Sequence, residues 1–272
     1  MNQFVVRTFT GVVVVILIIA SVVFHPIVFA VFFMILVTLG LSEFYSLIEK
    51  TGIKINKFSG TLLGLSIFIT NAAVALNWFS PKILLVNFFF VFLIYVMVLY
   101  RKHPDPFTTI AFTFLGVIYV AIPLSLISYI PNPTFEPGTY QYSLVLGFFI
   151  FNWVNDSGAY LVGSKFGKHK LFERISPRKT WEGLAGGILF TLLSAWVLSL
   201  FFLDLTLIQW IGMAVIVNFF STYGDLLESV LKRSINKKDS GSLLPGHGGI
   251  LDRFDGVLVS APFVFVYLIV IA

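Results

Sequence analysis

Ser229-Val-Leu-Lys232-Arg233-Ser-Ile-Asn-Lys237-Lys238-Asp239-Ser-Gly241-Ser-Leu-Leu-Pro245-Gly246-His247-Gly248-Gly249-Ile-Leu-Asp252-Arg253-Phe-Asp255 sets five basic residues, three acids, a histidine and four glycines between two long apolar runs. The run ahead of it, 207–228, and the run behind it, 256–272, each have the length that crosses a bilayer core, about 17 to 25 residues. So dense a polar segment is more than a connection, and the runs that flank it set the class of the whole chain.

Hydrophobic residues fill 58% of the 272 positions and charged residues 11%, with a mean hydropathy of +0.95. A soluble domain of this length needs far more polar surface. Nine apolar runs can be counted, at 8–24, 27–47, 59–79, 83–100, 107–130, 143–163, 183–203, 207–228 and 256–272. The expected fold class is therefore an all-α polytopic membrane protein with about nine transmembrane helices. His25-Pro26 separates the first two runs as either a tight turn or a kink. Arg7 precedes the first run, but no small-residue cleavage site follows it, so a retained helix is expected rather than a signal peptide. The absence of cysteine excludes disulfides, thiolate nucleophiles and Cys-ligated metals. The net charge of +5 has a membrane explanation, because anionic leaflets attract juxtamembrane basic residues. Without a basic tail or an aromatic-basic platform, no nucleic-acid partner is expected.

Cytoplasmic loops carry the excess of lysine and arginine. With the N-terminus placed inside, seventeen of the eighteen basic residues fall on one side, and Lys82 is the exception. A missed or added span would scramble that sorting, so it supports both the count and a cytoplasmic N-terminus. Two cytoplasmic loops, 164–182 and 229–255, then hold nearly all the available chemistry. Residues 1–142 read as a transmembrane scaffold, and 143–272 as the catalytic part of one integrated membrane domain.

Charges within spans are expensive and usually functional or paired. Asp156 lies in the sixth run, and Asp225 and Glu228 lie near the end of the eighth. Glu228 is equally well explained by pairing with a nearby lysine. Asp252 and Asp255, three residues apart, share one helical face. They either bracket a cation, with an oxygen-rich set of the kind Mg²⁺ takes, or serve the dipole of the helix that follows. Asp225 would bring a third carboxylate to the same depth.

The glycine-rich turn around His247, Gly248 and Gly249 offers backbone N–H groups to a phosphate just ahead of a helix start. Lys232, Arg233, Lys237 and Lys238 add charge-assisted donors. His247 either donates to a phosphate or holds the loop. In the other loop, Ser176-Pro177 has the order of an N-cap and a first helical residue, which would set Arg178, Lys179 and Thr180 beside a helix N-terminus. Gly183 and Gly187 form a pair suited to close helix packing. Phosphates, Mg²⁺ and a membrane-face site together point to phosphoryl or nucleotidyl transfer involving a lipid.

The pattern Ser229-x-Leu231-Lys232-Arg233, Lys238-Asp239-x-Gly241 and Leu244-Pro245-x-His247-Gly248-Gly249-Ile250-x-Asp252-Arg253-Phe254-Asp255 resembles the signature of the phosphatidate cytidylyltransferases, the CDP-diacylglycerol synthases. The stretch Asp156 to Tyr160 and the block Ser176 to Gly187 resemble the same family, so the similarity is strong over the C-terminal half. The resemblance implies condensation of CTP with phosphatidic acid to give CDP-diacylglycerol and pyrophosphate in phospholipid biosynthesis. It also implies Mg²⁺ dependence, with a second cation left open, an all-helical membrane fold and a homodimer, while the sorting of basic residues sets the expected site at the cytoplasmic face of a bacterial plasma (inner) membrane. Carried onto this chain, Asp225, Asp252, Asp255, Lys232 and Arg233 are the expected catalytic residues. Ser176, Arg178, Lys179, Thr180, Lys238, His247, Gly248 and Gly249 would bind substrate, and Asp225, Asp252, Asp255 and Asp156 would hold metal.

Two rival readings are weaker. Asp252-Arg-Phe-Asp255-Gly256 begins like a CDP-alcohol phosphotransferase motif, but the Ala-Arg pair and further spaced aspartates of that family do not follow. A transporter for an anionic phosphate compound would need sealed compartments, which an enzyme does not.

Overall fold

The computed structural model describes residues 3–100, 105–235, 241 and 248–272, with side chains from residue 10 onward. Among the described residues the regular structure is helical apart from one short hairpin, and the chain divides into two compact units. The first is Met1–Tyr129 with Phe135–Thr139 and Ser234–Phe254; the second is Ile130–Thr134, Tyr140–Arg233 and Asp255–Ala272.

In the first unit, α1 (Gln3–Phe24) and α2 (Pro26–Glu49) are separated by His25 alone. His25 is extended, its ring accepts from the Ile27 N–H at 3.2 Å, and Pro26 takes the first helical position. The turn-or-kink alternative thus resolves as a one-residue break, with a capped restart that proline favours. α3 (Lys57–Ala75) begins at Asn56, whose Oδ1 accepts from the Ser59 N–H. A 3₁₀ turn, Pro81–Leu85, leads into α4 (Val86–Tyr100). The next rod joins α5 (Pro106–Gly116), a π turn at Val117–Ala121 and α6 (Ile122–Leu126). The π turn sits just ahead of Pro123, which has no N–H to give the carbonyl four residues back.

Tyr45 organises the core of this unit. It is fully buried, and its hydroxyl donates to the Thr113 carbonyl at 2.9 Å. Its ring fills the space that side chains at Gly60 and Gly116 would need.

In the second unit, α7 (Tyr142–Phe166) and α8 (Trp181–Phe201) lie side by side and are joined by strands β1 (Lys170–Phe172) and β2 (Ser176–Thr180), an antiparallel pair. The helices touch backbone to backbone. A Cβ at Gly158 would come within 3.0 Å of the Gly186 carbonyl, and one at Gly183 within 2.9 Å of the Ala159 carbonyl. Gly187 faces Asn155 in the same seam, so the packing role expected of Gly183 and Gly187 is met. α9 (Leu207–Ser234) up to Arg233 and α10 (Leu251–Ile271) from Asp255 onward complete the helices of this unit.

Among the described residues, seven helical stretches are long and apolar enough to cross a membrane: Pro26–Glu49, Lys57–Ala75, Pro81–Tyr100, Pro106–Tyr129, Trp181–Phe201, Leu207–Ser234 and Leu251–Ile271. Each coincides with an expected run. α1 contributes a shorter apolar stretch, Thr10–Phe24. α7 falls outside the seven because Asn152, Asn155, Asp156 and Ser157 interrupt its apolar run, and Asn155 and Asp156 line the candidate site.

Candidate active site

A cavity of about 480 Å³ opens in the second unit, between α7, the hairpin, α8 and α9. Asp156 and Asp225 line it with Arg178, Lys179 and Thr180. Asp156 and Arg178 are exposed, while Lys179 and Asp225 are partly buried. The Lys179 ammonium sits 2.5 Å from the Asp225 carboxylate and also donates to the Thr222 carbonyl at 3.4 Å. Residues far apart in sequence, from α7, the hairpin and α9, therefore meet in one charged cleft. Tyr160, Leu171 and Leu184 give it an apolar wall.

The hairpin corrects one expectation. Ser176 and Pro177 do not open a helix; they belong to β2, and the cap of α8 is Thr180, whose hydroxyl accepts from the Gly183 N–H at 3.1 Å. Proline suits a strand of a two-stranded pair, where its missing N–H costs little. The cation placement survives the change, because Arg178 and Lys179 occupy the end of β2 directly before that cap. Glu182, in the first turn of α8, braces the two residues that lead into β1. It accepts from the Lys168 N–H at 3.1 Å, and its Oε1 lies 2.6 Å from His169 Nδ1.

α9 and α10 bring further acids together. Gly224 and Gly256 let the two helices approach closely: a side chain on Gly224 would strike the Asp255 carbonyl, and one on Gly256 would strike Ser221. Each glycine adjoins an acid, Gly224 next to Asp225 and Gly256 next to Asp255. Asp255 consequently lies in the electrostatic field of Asp225, Glu228 and Asp156, and its Oδ1 accepts from the Gly256 N–H at 2.8 Å. Glu228 is buried and pairs with Lys232 at 2.6 Å along α9, as the lysine-pairing alternative holds. Lys232 is thereby directed inward, while Arg233 is exposed.

Beneath the cleft a buried polar ladder ties α7, α8 and α9. Asn218 Nδ2 of α9 donates to Asn155 Oδ1 of α7 at 2.6 Å and to the Thr191 hydroxyl of α8 at 3.5 Å, and within their own helices the Thr191 hydroxyl bonds the Gly187 carbonyl and the Thr222 hydroxyl the Asn218 carbonyl at 2.9 Å. These side chains fix the helix that carries Asp156 against the one that carries Asp225.

Asp252 lies in the first unit. It accepts from the Gly249 N–H at 2.8 Å, while Glu43 of α2 accepts from Ile250 N–H at 2.8 Å and Leu251 N–H at 3.1 Å. Gly248 turns the chain with φ +81°. The Gly249 amide, expected in a phosphate cradle, is thus engaged by Asp252. Lys238 and His247 lie outside the described residues. Sequence reasoning did not single out Glu43, His169, Asn155 or Asn218.

A divalent cation can be tested against this arrangement. The acids near Asp255 offer only hard carboxylate oxygens, the donor type Mg²⁺ takes. Among the described residues no three such side chains are already drawn into a metal cage, and Asp225 is engaged by Lys179. The donor chemistry fits Mg²⁺.

Residues 5–271 match the family described as Cytidylyltransferase family. The chain is similar to the phosphatidate cytidylyltransferase of Staphylococcus saprophyticus, at 32% identity over 97% of this chain and 98% of that protein. It is also similar to the phosphatidate cytidylyltransferases of Bacillus subtilis strain 168, at 41% identity over 60% of each chain, and of Staphylococcus aureus strain COL, at 39% identity over 62% of each. The alignment with the S. aureus protein thus spans about three fifths of that relative's length.

Proposed function

This chain belongs to the cytidylyltransferase family, and from that premise we propose that it transfers the cytidylyl group of CTP to phosphatidic acid, giving CDP-diacylglycerol and pyrophosphate. The observation that carries the proposal is the 480 Å³ cleft, which sets Asp156 and Asp225 against Arg178 and Lys179 beside an apolar wall. A site for this reaction must bring two anions together next to a lipid.

A phosphate oxygen of phosphatidate attacks the α-phosphorus of CTP. The bond from that phosphorus to the bridging oxygen of the β-phosphate breaks, and the electron pair leaves with pyrophosphate. Phosphatidate is already anionic, so no strong general base is required, and positioning and charge stabilisation carry the rate. Arg178 and Lys179 supply charge-assisted donors to the phosphates. For Lys179 this means leaving Asp225 for a substrate oxygen. Thr180 and the Asn155–Asn218 ladder keep β2, α7 and α9 in register while that exchange occurs. Mg²⁺, held by Asp225 and Asp255 with Asp156 near them, would neutralise phosphate charge and orient the triphosphate. Arg233, exposed beyond these acids, is a further phosphate donor, and Lys232 tunes Glu228. Asp252 and Gly249 keep the turn before α10, and Ser176 starts the strand that presents the cations.

The basic-residue sorting supports a cytoplasmic N-terminus and a site on the cytoplasmic face of the plasma membrane, where CTP is found. A homodimer is part of the same proposal. Pyrophosphate release from CTP in detergent solution, dependent on added phosphatidate, tests the function. A requirement for sealed vesicles would favour a transporter and overturn it.

A further inference from the structure

We infer that Glu43, in the helix read from sequence as scaffold, is a positioning residue that holds the signature segment in register for catalysis. The inference rests on the proposed cytidylyl transfer for its kinetic consequence, though not for its structural one. The first turn of a helix leaves backbone N–H groups without intrahelical partners, and a local Ser, Thr, Asn or Asp side chain usually takes one of them. Ile250, directly before α10, has no such side chain. The acceptors come instead from Glu43, more than two hundred positions earlier: Oε2 takes the Ile250 N–H at 2.8 Å and Oε1 takes the Leu251 N–H at 3.1 Å.

Three neighbouring features make this a built arrangement. The Gly249 N–H donates to Asp252 at 2.8 Å, so three successive amides are held by two carboxylates. Gly241, a fixed glycine of the signature, lies against the same carboxylate, where a Cβ would come within 2.8 Å of Glu43 Cδ and Oε2. Leu251 is buried, and its side chain lies 4.0 Å from where a Cβ on Gly40, three residues before Glu43 on α2, would stand. Glu43 is therefore contacted by two separated parts of the signature, 241 and 250–251, and pins the start of the helix that bears Asp252 and Asp255.

The test compares the full-length wild type with Glu43→Ala, Glu43→Gln and Gly241→Ala in detergent, by hydrogen exchange of the peptide covering 248–255 and by steady-state kinetics with CTP and phosphatidate. Glu43→Ala should speed exchange in that peptide and lower kcat by about a hundredfold, the scale on which a misplacement of about 1 Å slows a reaction, with KM for CTP little changed. Glu43→Gln keeps one acceptor oxygen and should recover part of both losses. Gly241→Ala presses on the same carboxylate and should reproduce the effect in milder form, which keeps the test intact if Glu43→Ala fails to fold. Unaltered exchange, or a lowered melting temperature with kcat per folded molecule unchanged, would overturn the inference. If the wild type does not turn over CTP, the proposed function fails, and the exchange data alone still decide whether Glu43 holds the segment.

Discussion

Replacing Lys179 with alanine removes the cation that faces Asp225 at 2.5 Å across the cleft. Two roles predict losses of different size. As a structural partner, Lys179 belongs to a pair whose side chains keep 22% and 40% of their exposure. Solvent screens such a pair, so it contributes about 1 kcal/mol, the upper end for exposed ion pairs. The larger penalty for orphaning a fully buried charge, about 3–5 kcal/mol, does not apply, because Asp225 retains contact with water. As a donor to the transferring phosphate, by contrast, Lys179 is worth about 2.7–4 kcal/mol, or about 10²–10³ in kcat. Lys179→Ala should therefore unfold only slightly earlier than wild type in detergent, yet turn over CTP with phosphatidate at about a hundredth of the wild-type rate or less. Lys179→Arg should fall between the two, since it keeps the charge but exchanges a point donor for a planar fork. Wild-type turnover in Lys179→Ala, accompanied by a lowered melting temperature, would refute the phosphate role and leave Lys179 as the partner of Asp225 alone.

Gly224→Ala puts a methyl group against the Asp255 carbonyl; it should destabilise by about 1–3 kcal/mol and depress turnover further by parting Asp225 from Asp255, as thermal unfolding and kinetics would show. Asp252→Asn retains an oxygen for the Gly249 N–H, so it should stay folded and keep most of its turnover, whereas Asp252→Ala should speed amide exchange in 248–255 and slow turnover; loss of product formation in a folded Asp252→Asn would contradict a role confined to the turn. Thr180→Ala removes the cap of α8 and should cost about 1 kcal/mol in unfolding measurements, with Thr180→Ser recovering most of it.

The helices were legible because apolar runs of spanning length leave the backbone few alternatives in a bilayer, and the observed helices fall on the expected runs. Glycine spacing at 183 and 187 announced the α7–α8 seam for the same reason. Asp156, Asp225, Arg178 and Lys179 were found by charge in an apolar chain, and the structure brings them to one cleft. Ser176-Pro177 misled because an N-cap signature is local, whereas pairing with β1 is decided by residues across the turn. Glu43 was invisible for a related reason: a single acid in an apolar run has no periodicity, and its partners, Ile250 and Leu251, offer only backbone. Asn155 and Asn218 were missed because their value lies in each other. Among the described residues, seven helical stretches are long and apolar enough to cross a membrane, against nine apolar runs in the sequence. α7 falls short because it carries site residues, and their polarity lowers its hydropathy.

The most direct test of cytidylyl transfer follows radiophosphorus through one turnover series in detergent. CTP labelled at the α-phosphate should transfer its label to a lipid product when phosphatidate is present, and CTP labelled at the γ-phosphate should release it in pyrophosphate, with both transfers lost in Lys179→Ala. Label from the γ-position appearing in lipid, or no phosphatidate-dependent transfer from the α-position, would contradict attack at the α-phosphorus and with it the function proposed for this cleft.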